Sequence, residues 1–132
     1  MQFAFYVLVK LLCYALWCWL GLRIWRKPQA NAMKALGYGL IRLAIGIGFG
    51  LGVFFSINVS RDDLLWKYLE VYAPIRLVEW LIVVLMLRRG ASHFTAGSAF
   101  LWCLGGIAIS FAADLVSPEG LAGHFCIGRC LC

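Results

Sequence analysis

The sequence predicts an all-α integral membrane protein whose four transmembrane helices form an up-down antiparallel bundle. Of its 132 residues, 64% are hydrophobic and 14% are charged, whereas a water-soluble domain is about half apolar and about a quarter charged. Four apolar stretches contain at least 20 residues each, the length that a helix needs to cross about 30 Å of hydrocarbon. We therefore expect one transmembrane domain, residues 1–132, and exclude a water-soluble globule and a disordered chain.

The first two predicted spans contain one charge each. Residues 3–22 include Lys10, and residues 35–59 include Arg42. Basic residues follow the first apolar run instead of preceding it, and it has no small-x-small cleavage site, so we do not expect a cleaved signal peptide. Helices are the predicted conformation because a helix satisfies its own backbone in lipid, and the alternating pattern of a barrel strand is absent.

The third and fourth predicted spans are residues 68–87 and 95–116, and they contain the other intramembrane charges. These are Glu70, Arg76 and Glu79 in the third span and Asp114 in the fourth. Pro74 removes one backbone hydrogen bond from the third helix, which predicts a kink just before Arg76.

The connecting loops predict how the helices are oriented. The first and third loops are basic, whereas the middle loop offsets its basic residues with two acidic ones. By the positive-inside rule the first and third loops are cytoplasmic, both termini lie outside, and the expected location is a bacterial inner membrane. Much of the net charge of +6 is then a topology signal, and no nucleic-acid partner is expected. The basic residues of these two loops are Arg23, Arg26, Lys27, Lys34, Arg88 and Arg89.

Each predicted span has one polar or small-residue face. Residues three or four positions apart share a helix face, and short loops place successive helices side by side and antiparallel. We therefore expect the four faces to point at one another. The faces, in chain order, are Tyr6, Lys10, Tyr14, Trp17 and Gly21; Arg42, Gly46 and Gly50; Tyr72, Arg76, Glu79 and Val83; and Cys103, Gly106, Ser110 and Asp114.

The predicted depths leave an excess of positive charge inside the bundle. Counted along the helices, Lys10, Arg42, Arg76 and Glu79 are deep, whereas Asp114 lies within about one turn of the outer edge, near water. Two positive charges are then uncompensated. An ionised group at the bilayer centre costs about 2.5–3.5 kcal/mol, so the excess predicts internal water, loss of the Lys10 proton, or a bound anion.

This charge pattern favours a site for the anionic head of a lipid or lipid-linked substrate. Guanidinium groups bind phosphate and carboxylate well, so Arg42 and Arg76 are expected to hold the anion. Glu79 would orient an arginine or act as a base. The other expected ligand-binding residues are Tyr14, Tyr72, Lys10 and Asp114. In the structural alternative, Arg76 and Glu79 form an i,i+3 pair and Lys10 extends outward to the membrane surface.

Two other functions stay open at this stage. The chain could be an interaction or accessory subunit of a larger membrane complex, or a small transporter or channel. Gly46, Gly48, Gly50 and Gly52 form two small-xxx-small pairs on roughly opposite faces of the second span. Such pairs let helices approach closely, so packing inside the bundle is the first expectation, and the second face is available to a second copy or another subunit. A flexible helix that lines a substrate path is the competing interpretation. No catalytic or cofactor-binding motif is present, and no cofactor is expected.

The tail, residues 117–132, is rich in cysteine. Its H-x-C-x3-C-x-C spacing differs from the paired C-x2-C knuckles of structural zinc sites, so no metal site is predicted and these residues are only weak candidates. An extracytoplasmic tail would favour a disulfide such as Cys126–Cys130, whereas a cytoplasmic tail would favour lipidation or metal capture. The candidate ligands are His124, Cys126, Cys130 and Cys132.

Overall fold

The computed structural model contains four α-helices and, within the residues that it describes, no strand. It describes residues 2–25, 30–56, 65–89, 91, 93–117 and 121. The helices are α1 (Gln2–Trp25), α2 (Ala32–Ser56), α3 (Leu65–Arg88) and α4 (Ala96–Leu115). Each described helix end lies within three residues of the predicted one, so the all-α, four-helix prediction is confirmed. The cysteine-rich tail, with its disulfide and metal candidates, lies outside the described residues, apart from Ser117 and Leu121.

Three of the four helices are long and apolar enough to cross a membrane. They comprise Ala4–Trp25, Ala32–Ser56 and Ala96–Leu115. Helix α3 is of similar length but has charged residues along its whole length. Large apolar side chains cover the outside of the bundle; on α1, for example, Leu8, Leu12 and Leu16 are each at least half exposed. This is the surface that a bundle surrounded by lipid requires.

Contacts between helix ends establish the antiparallel arrangement. Lys10, near the start of α1, pairs with Asp114 at the end of α4, while Trp25 at the end of α1 donates a hydrogen bond to Ser98 at the start of α4. Tyr68, near the start of α3, also reaches Asp114 and packs with Val53 near the end of α2. We call the end where α1 and α3 finish the Trp25 end, and the opposite one the Tyr68 end.

The starts of two helices are capped by polar side chains. Thr95 precedes α4 in an extended conformation, and its hydroxyl accepts a hydrogen bond from the backbone N–H of Ser98 at 3.3 Å. Asn31 precedes α2, and its side-chain oxygen accepts one from the N–H of Met33 at 3.1 Å. Such caps satisfy N–H groups that have no partner inside the helix. Helix α3 continues through Pro74.

Aromatic rings fill the half of the bundle at the Trp25 end. Trp102 stacks on Trp17 with ring centroids 5.8 Å apart, meets Trp80 edge-on at 5.2 Å and lies 5.5 Å from Trp25. The indole N–H of Trp80 donates to Ser110 Oγ at 3.0 Å. A second, smaller cluster at the Tyr68 end contains Val53, Tyr68 and Tyr72. The charged residues lie between these two apolar regions.

Two glycines make the close packing possible. A Cβ atom at Gly39 would lie 2.9 Å from the backbone nitrogen of Ala15, so α1 and α2 approach backbone to backbone there. At Gly106, a Cβ atom would lie 2.6 Å from the indole of Trp80. Trp80 is fully buried because α4 has no side chain at that point.

The glycines of α2 divide between two faces, as the sequence predicts. Gly50 is buried and Gly46 is partly exposed on the inward face, whereas Gly48 and Gly52 are exposed. Cβ atoms at Gly48 and Gly52 would have no described neighbour within 4 Å. An oligomer contact through this outward face stays a prediction.

Replacing Gly106 by alanine should destabilise the bundle through overpacking against Trp80. The matched control is Gly97→Ala, because Gly97 is exposed in the first turn of the same helix, and a Cβ atom there meets nothing within 4 Å. We expect the Gly106 variant to be about 1–3 kcal/mol less stable, and the control to be unchanged or more stable by up to about 1 kcal/mol. Unfolding in mixed detergent micelles, followed by circular dichroism, measures both; equal stability of the two variants would contradict this packing.

Candidate functional site

Five charged side chains, drawn from all four helices, meet inside the bundle between the Tyr68 end and its middle. Each is at most 5% exposed. Ion pairs join them into a row of alternating sign, which we call the charge chain: Lys10, Asp114, Arg76, Glu79 and Arg42. All five were expected at the site from the sequence, and the structure brings all five together.

Asp114 is the most heavily hydrogen-bonded member of the chain. Its Oδ1 accepts from Lys10 Nζ at 2.6 Å and from Tyr6 Oη at 2.8 Å. Its Oδ2 accepts from Arg76 Nη2 at 2.9 Å and from Tyr68 Oη at 3.0 Å. Four donors from α1 and α3 therefore satisfy one carboxylate of α4.

The expectation that Asp114 lies near water is wrong. The residue does lie next to the end of α4, but it is only 5% exposed. Tyr6, Lys10 and Tyr68 from the neighbouring helices cover its carboxylate. The structural alternative in which Lys10 extends outward is wrong as well, since Lys10 is 3% exposed and points to Asp114.

The burial of Asp114 changes the charge balance of the interior. The sequence predicts three deep cations against Glu79 alone, whereas the structure supplies a second carboxylate. With every group ionised, the charge chain has three positive and two negative members. Its formal excess is therefore one positive charge, not the expected two.

Arg76 joins the two halves of the charge chain. Its Nη2 donates to Asp114, and its Nη1 lies 3.5 Å from Glu79 Oε2, one turn along α3. The expected i,i+3 pair is therefore present as one part of a larger network. A guanidinium has separate nitrogen atoms for the two carboxylates, which a single ammonium nitrogen does not provide.

Arg42 ends the chain and has the fewest polar partners. It forms an ion pair with Glu79 through Nη2. Its guanidinium carbon lies 4.9 Å from the ring centroids of both Tyr14 and Trp80, and these cation–π contacts stabilise the charge. Among the described residues, its Nε and Nη1 atoms have no hydrogen-bond acceptor, although Arg42 is completely buried.

The two predicted tyrosines take different places. Tyr14 lies against Arg42, where its hydroxyl has no hydrogen-bond partner in the described part of the chain. Tyr72 is buried at the Tyr68 end, with its ring 4.7 Å from that of Tyr68. Tyr14 thus lines the Arg42 side of the site, while Tyr72 belongs to the packing beside Asp114.

Three residues at the site are not among the predicted ligand-binding residues: Tyr6, Tyr68 and Trp80. The sequence places Tyr6 on the inward face of α1 but gives it no role, and Tyr68 lies one turn before Tyr72, so helical periodicity could have identified it. Trp80 lies four positions after Arg76, so periodicity places it on the same side of α3, but its apolar ring gave no signal of a site. Its role depends on the position of α4, since Gly106 and Ser110 receive its indole.

Comparisons with known proteins add no assignment. No protein-family model, no curated protein and no solved structure matches the chain. What the site can bind is therefore argued from its geometry alone. At one end the Asp114 carboxylate accepts four hydrogen bonds, and at the other Arg42 has nitrogen atoms without an acceptor among the described residues.

Replacing Asp114 by asparagine should destabilise the protein strongly, because Lys10 and Arg76 lose their shared counter-charge. Breaking a buried ion pair from one side typically costs about 3–5 kcal/mol. The control is Glu70→Gln, which removes an exposed carboxylate of α3.

The double variant Asp114→Asn with Lys10→Gln should recover part of the loss, because it no longer buries the unpaired ammonium. Unfolding titrations of the three variants and the parent test this. Strictly additive losses in the double variant would show that the Lys10–Asp114 pair does not account for the effect.

Proposed function

We propose that this chain is a small inner-membrane protein whose bundle interior binds the anionic head of a lipid or lipid-linked substrate at Arg42. The supporting observation is that Arg42 is completely buried yet retains two nitrogen atoms without an acceptor among the described residues. A buried donor without a partner costs about 1–3 kcal/mol. An anionic oxygen beside Arg42 would supply the acceptor and offset the excess positive charge.

The position of Gly46 indicates where that oxygen would bind. The point that a Cβ atom would occupy at Gly46 is 3.1 Å from Arg42 Nη1 and 4.0 Å from Arg76 Nη1. Two guanidinium groups therefore converge on a place that has no side chain. Convergent charged donors are the usual means of holding a phosphate or carboxylate group.

The position of Glu79 limits which anionic groups fit beside Arg42. Glu79 Oε1 lies 3.8 Å from the same Cβ point, so an anion that binds beside Gly46 also meets a carboxylate. A headgroup with a hydroxyl or a protonated phosphate oxygen fits this arrangement, since it donates a hydrogen bond to Glu79 while its other oxygens accept from the arginines. The sequence assigns Glu79 the role of orienting an arginine or acting as a base, and its ion pair with Arg42 supports the first of these.

A second candidate function is that of an interaction subunit in a membrane complex. It is favoured by the exposed Gly48 and Gly52, where α2 offers a smooth face with no described neighbour. Small residues on a lipid-facing surface allow another helix to pack closely. This function and the anion site use opposite faces of α2, so they are compatible.

Arg42→Lys should weaken binding of phosphatidic acid while preserving the bundle. Lysine retains the positive charge beside Glu79 but lacks the additional donors of a guanidinium. A hydrogen bond to a charged group contributes about 1.5–3 kcal/mol, so we expect a loss of affinity of roughly ten- to a hundredfold. Native mass spectrometry of the purified protein, titrated with phosphatidic acid in detergent, measures this.

Arg89→Lys is the control, because Arg89 is exposed just after the end of α3. It should bind like the parent. A parallel titration with inorganic phosphate distinguishes a lipid headgroup from a free anion as the ligand. Unchanged affinity of the Arg42 variant for both probes would contradict the proposed site.

A further inference from the structure

Gly46 occupies an unusual position on α2. It lies one turn after Arg42, in the centre of a face whose other members, Gly39, Arg42, Gly50 and Val53, are all buried. Gly46 itself is nevertheless partly exposed. The backbone of Gly46 is therefore the point at which this face of α2 meets the outside of the bundle, next to the completely buried Arg42.

The bundle is closed toward the Trp25 end. Tyr14 and Trp80 lie directly against the Arg42 guanidinium, and both rings are fully buried. Trp102 continues this packing, 5.2 Å from Trp80. An ion from that end would have to pass through close-packed aromatic rings, which leave little free volume.

The bundle is also closed toward the Tyr68 end. Asp114 is occupied by four donors, and Tyr68 and Tyr72 pack with Val53 beside it. Within the described residues, access to Arg42 along the bundle axis is thus blocked from both ends. The partly exposed backbone of Gly46 offers an approach from the side.

The surface beside Gly46 is apolar. Ile47 directly follows Gly46 along the chain, and Phe49 lies about one turn further along α2. Both side chains are 37% exposed. A molecule that approaches there meets hydrocarbon side chains before it meets charge. A hydrated ion would lose the free energy of its hydration shell on crossing this apolar surface. A lipid already has its acyl chains in that environment.

We infer that the ligand reaches Arg42 laterally from the bilayer across Gly46, and is therefore an amphiphile that inserts its anionic head while its acyl chains stay in lipid beside α2. This inference rests on the proposed function and adds the route and the ligand class. Gly46 is a positioning residue here: without a side chain it adds no bulk beside the two guanidinium groups, where even a Cβ atom would lie 3.1 Å from Arg42 Nη1.

Leucine at Gly46 should block this route. The substitution Gly46→Leu fills the point that lies 3.1 Å from Arg42 Nη1, and we expect phosphatidic acid affinity to fall about tenfold or more. Gly37→Leu is the matched control, because it adds the same side chain to the same helix where a Cβ meets nothing within 4 Å. It should bind like the parent.

A second measurement uses the unmodified chain, in case the Gly46 variant does not fold. Phosphatidic acid with a photoactivatable diazirine near the head of one acyl chain is incorporated with the protein in phosphatidylcholine vesicles. After irradiation, mass spectrometry should locate the cross-links on α2 around Gly46 and Phe49. Leu101, 69% exposed on α4, should be labelled only at the background level of a photoactivatable phosphatidylcholine.

The outcomes separate the two proposals. If Arg42→Lys weakens binding but Gly46→Leu does not, or if cross-links favour Leu101 over Phe49, lateral access is overturned and the proposed function stands. If inorganic phosphate displaces phosphatidic acid from the parent at equal concentration, the ligand is an aqueous anion and lateral access is again overturned. If Arg42→Lys leaves all binding unchanged, both proposals fail.

Discussion

The alternating charge chain is the constraint on which the rest of this bundle depends. Apolar side chains gain little by exchanging lipid tails for one another, so apolar contact alone does not fix how far one transmembrane helix is shifted along the next. A buried charge without its partner is costly. Asp114 contacts cations of α1 and α3, and Glu79 contacts cations of α2 and α3. The two carboxylates together fix the relative heights of all four helices.

Asp114 and Arg42, toward the two ends of the charge chain, differ in their hydrogen-bond partners, and this difference determines where a ligand can bind. Asp114 is surrounded by polar donors, which leaves it no capacity for a ligand. Arg42 has one carboxylate partner and two aromatic rings. Rings stabilise a cation without using its N–H groups, so Arg42 is held rigidly while part of its donor capacity stays unused. A site held in this way before binding loses little entropy when a ligand arrives.

Two glycines determine what surrounds Arg42. The absence of a side chain at Gly106 lets Trp80 pack closely against α4, so that its ring covers one side of Arg42, while the absence of one at Gly46 leaves only backbone on the α2 side of the same arginine. Both effects act on Arg42, the end of the charge chain that is not saturated, and this links the packing of the helices to the proposed lipid site.

The number of helices, their ends to within three residues, and the inward direction of Lys10, Arg42, Arg76 and Glu79 could be predicted from the sequence. These are local properties, because the length of an apolar run and a period of 3.6 residues can be read from one segment. The tertiary structure decided that Asp114 is buried, that one positive charge is left over instead of two, and that Gly46 stays partly exposed. These features depend on how far each helix is shifted along its neighbours. Lys10 and Asp114, for example, are 104 residues apart in the sequence, so counting positions along one helix does not show that they meet.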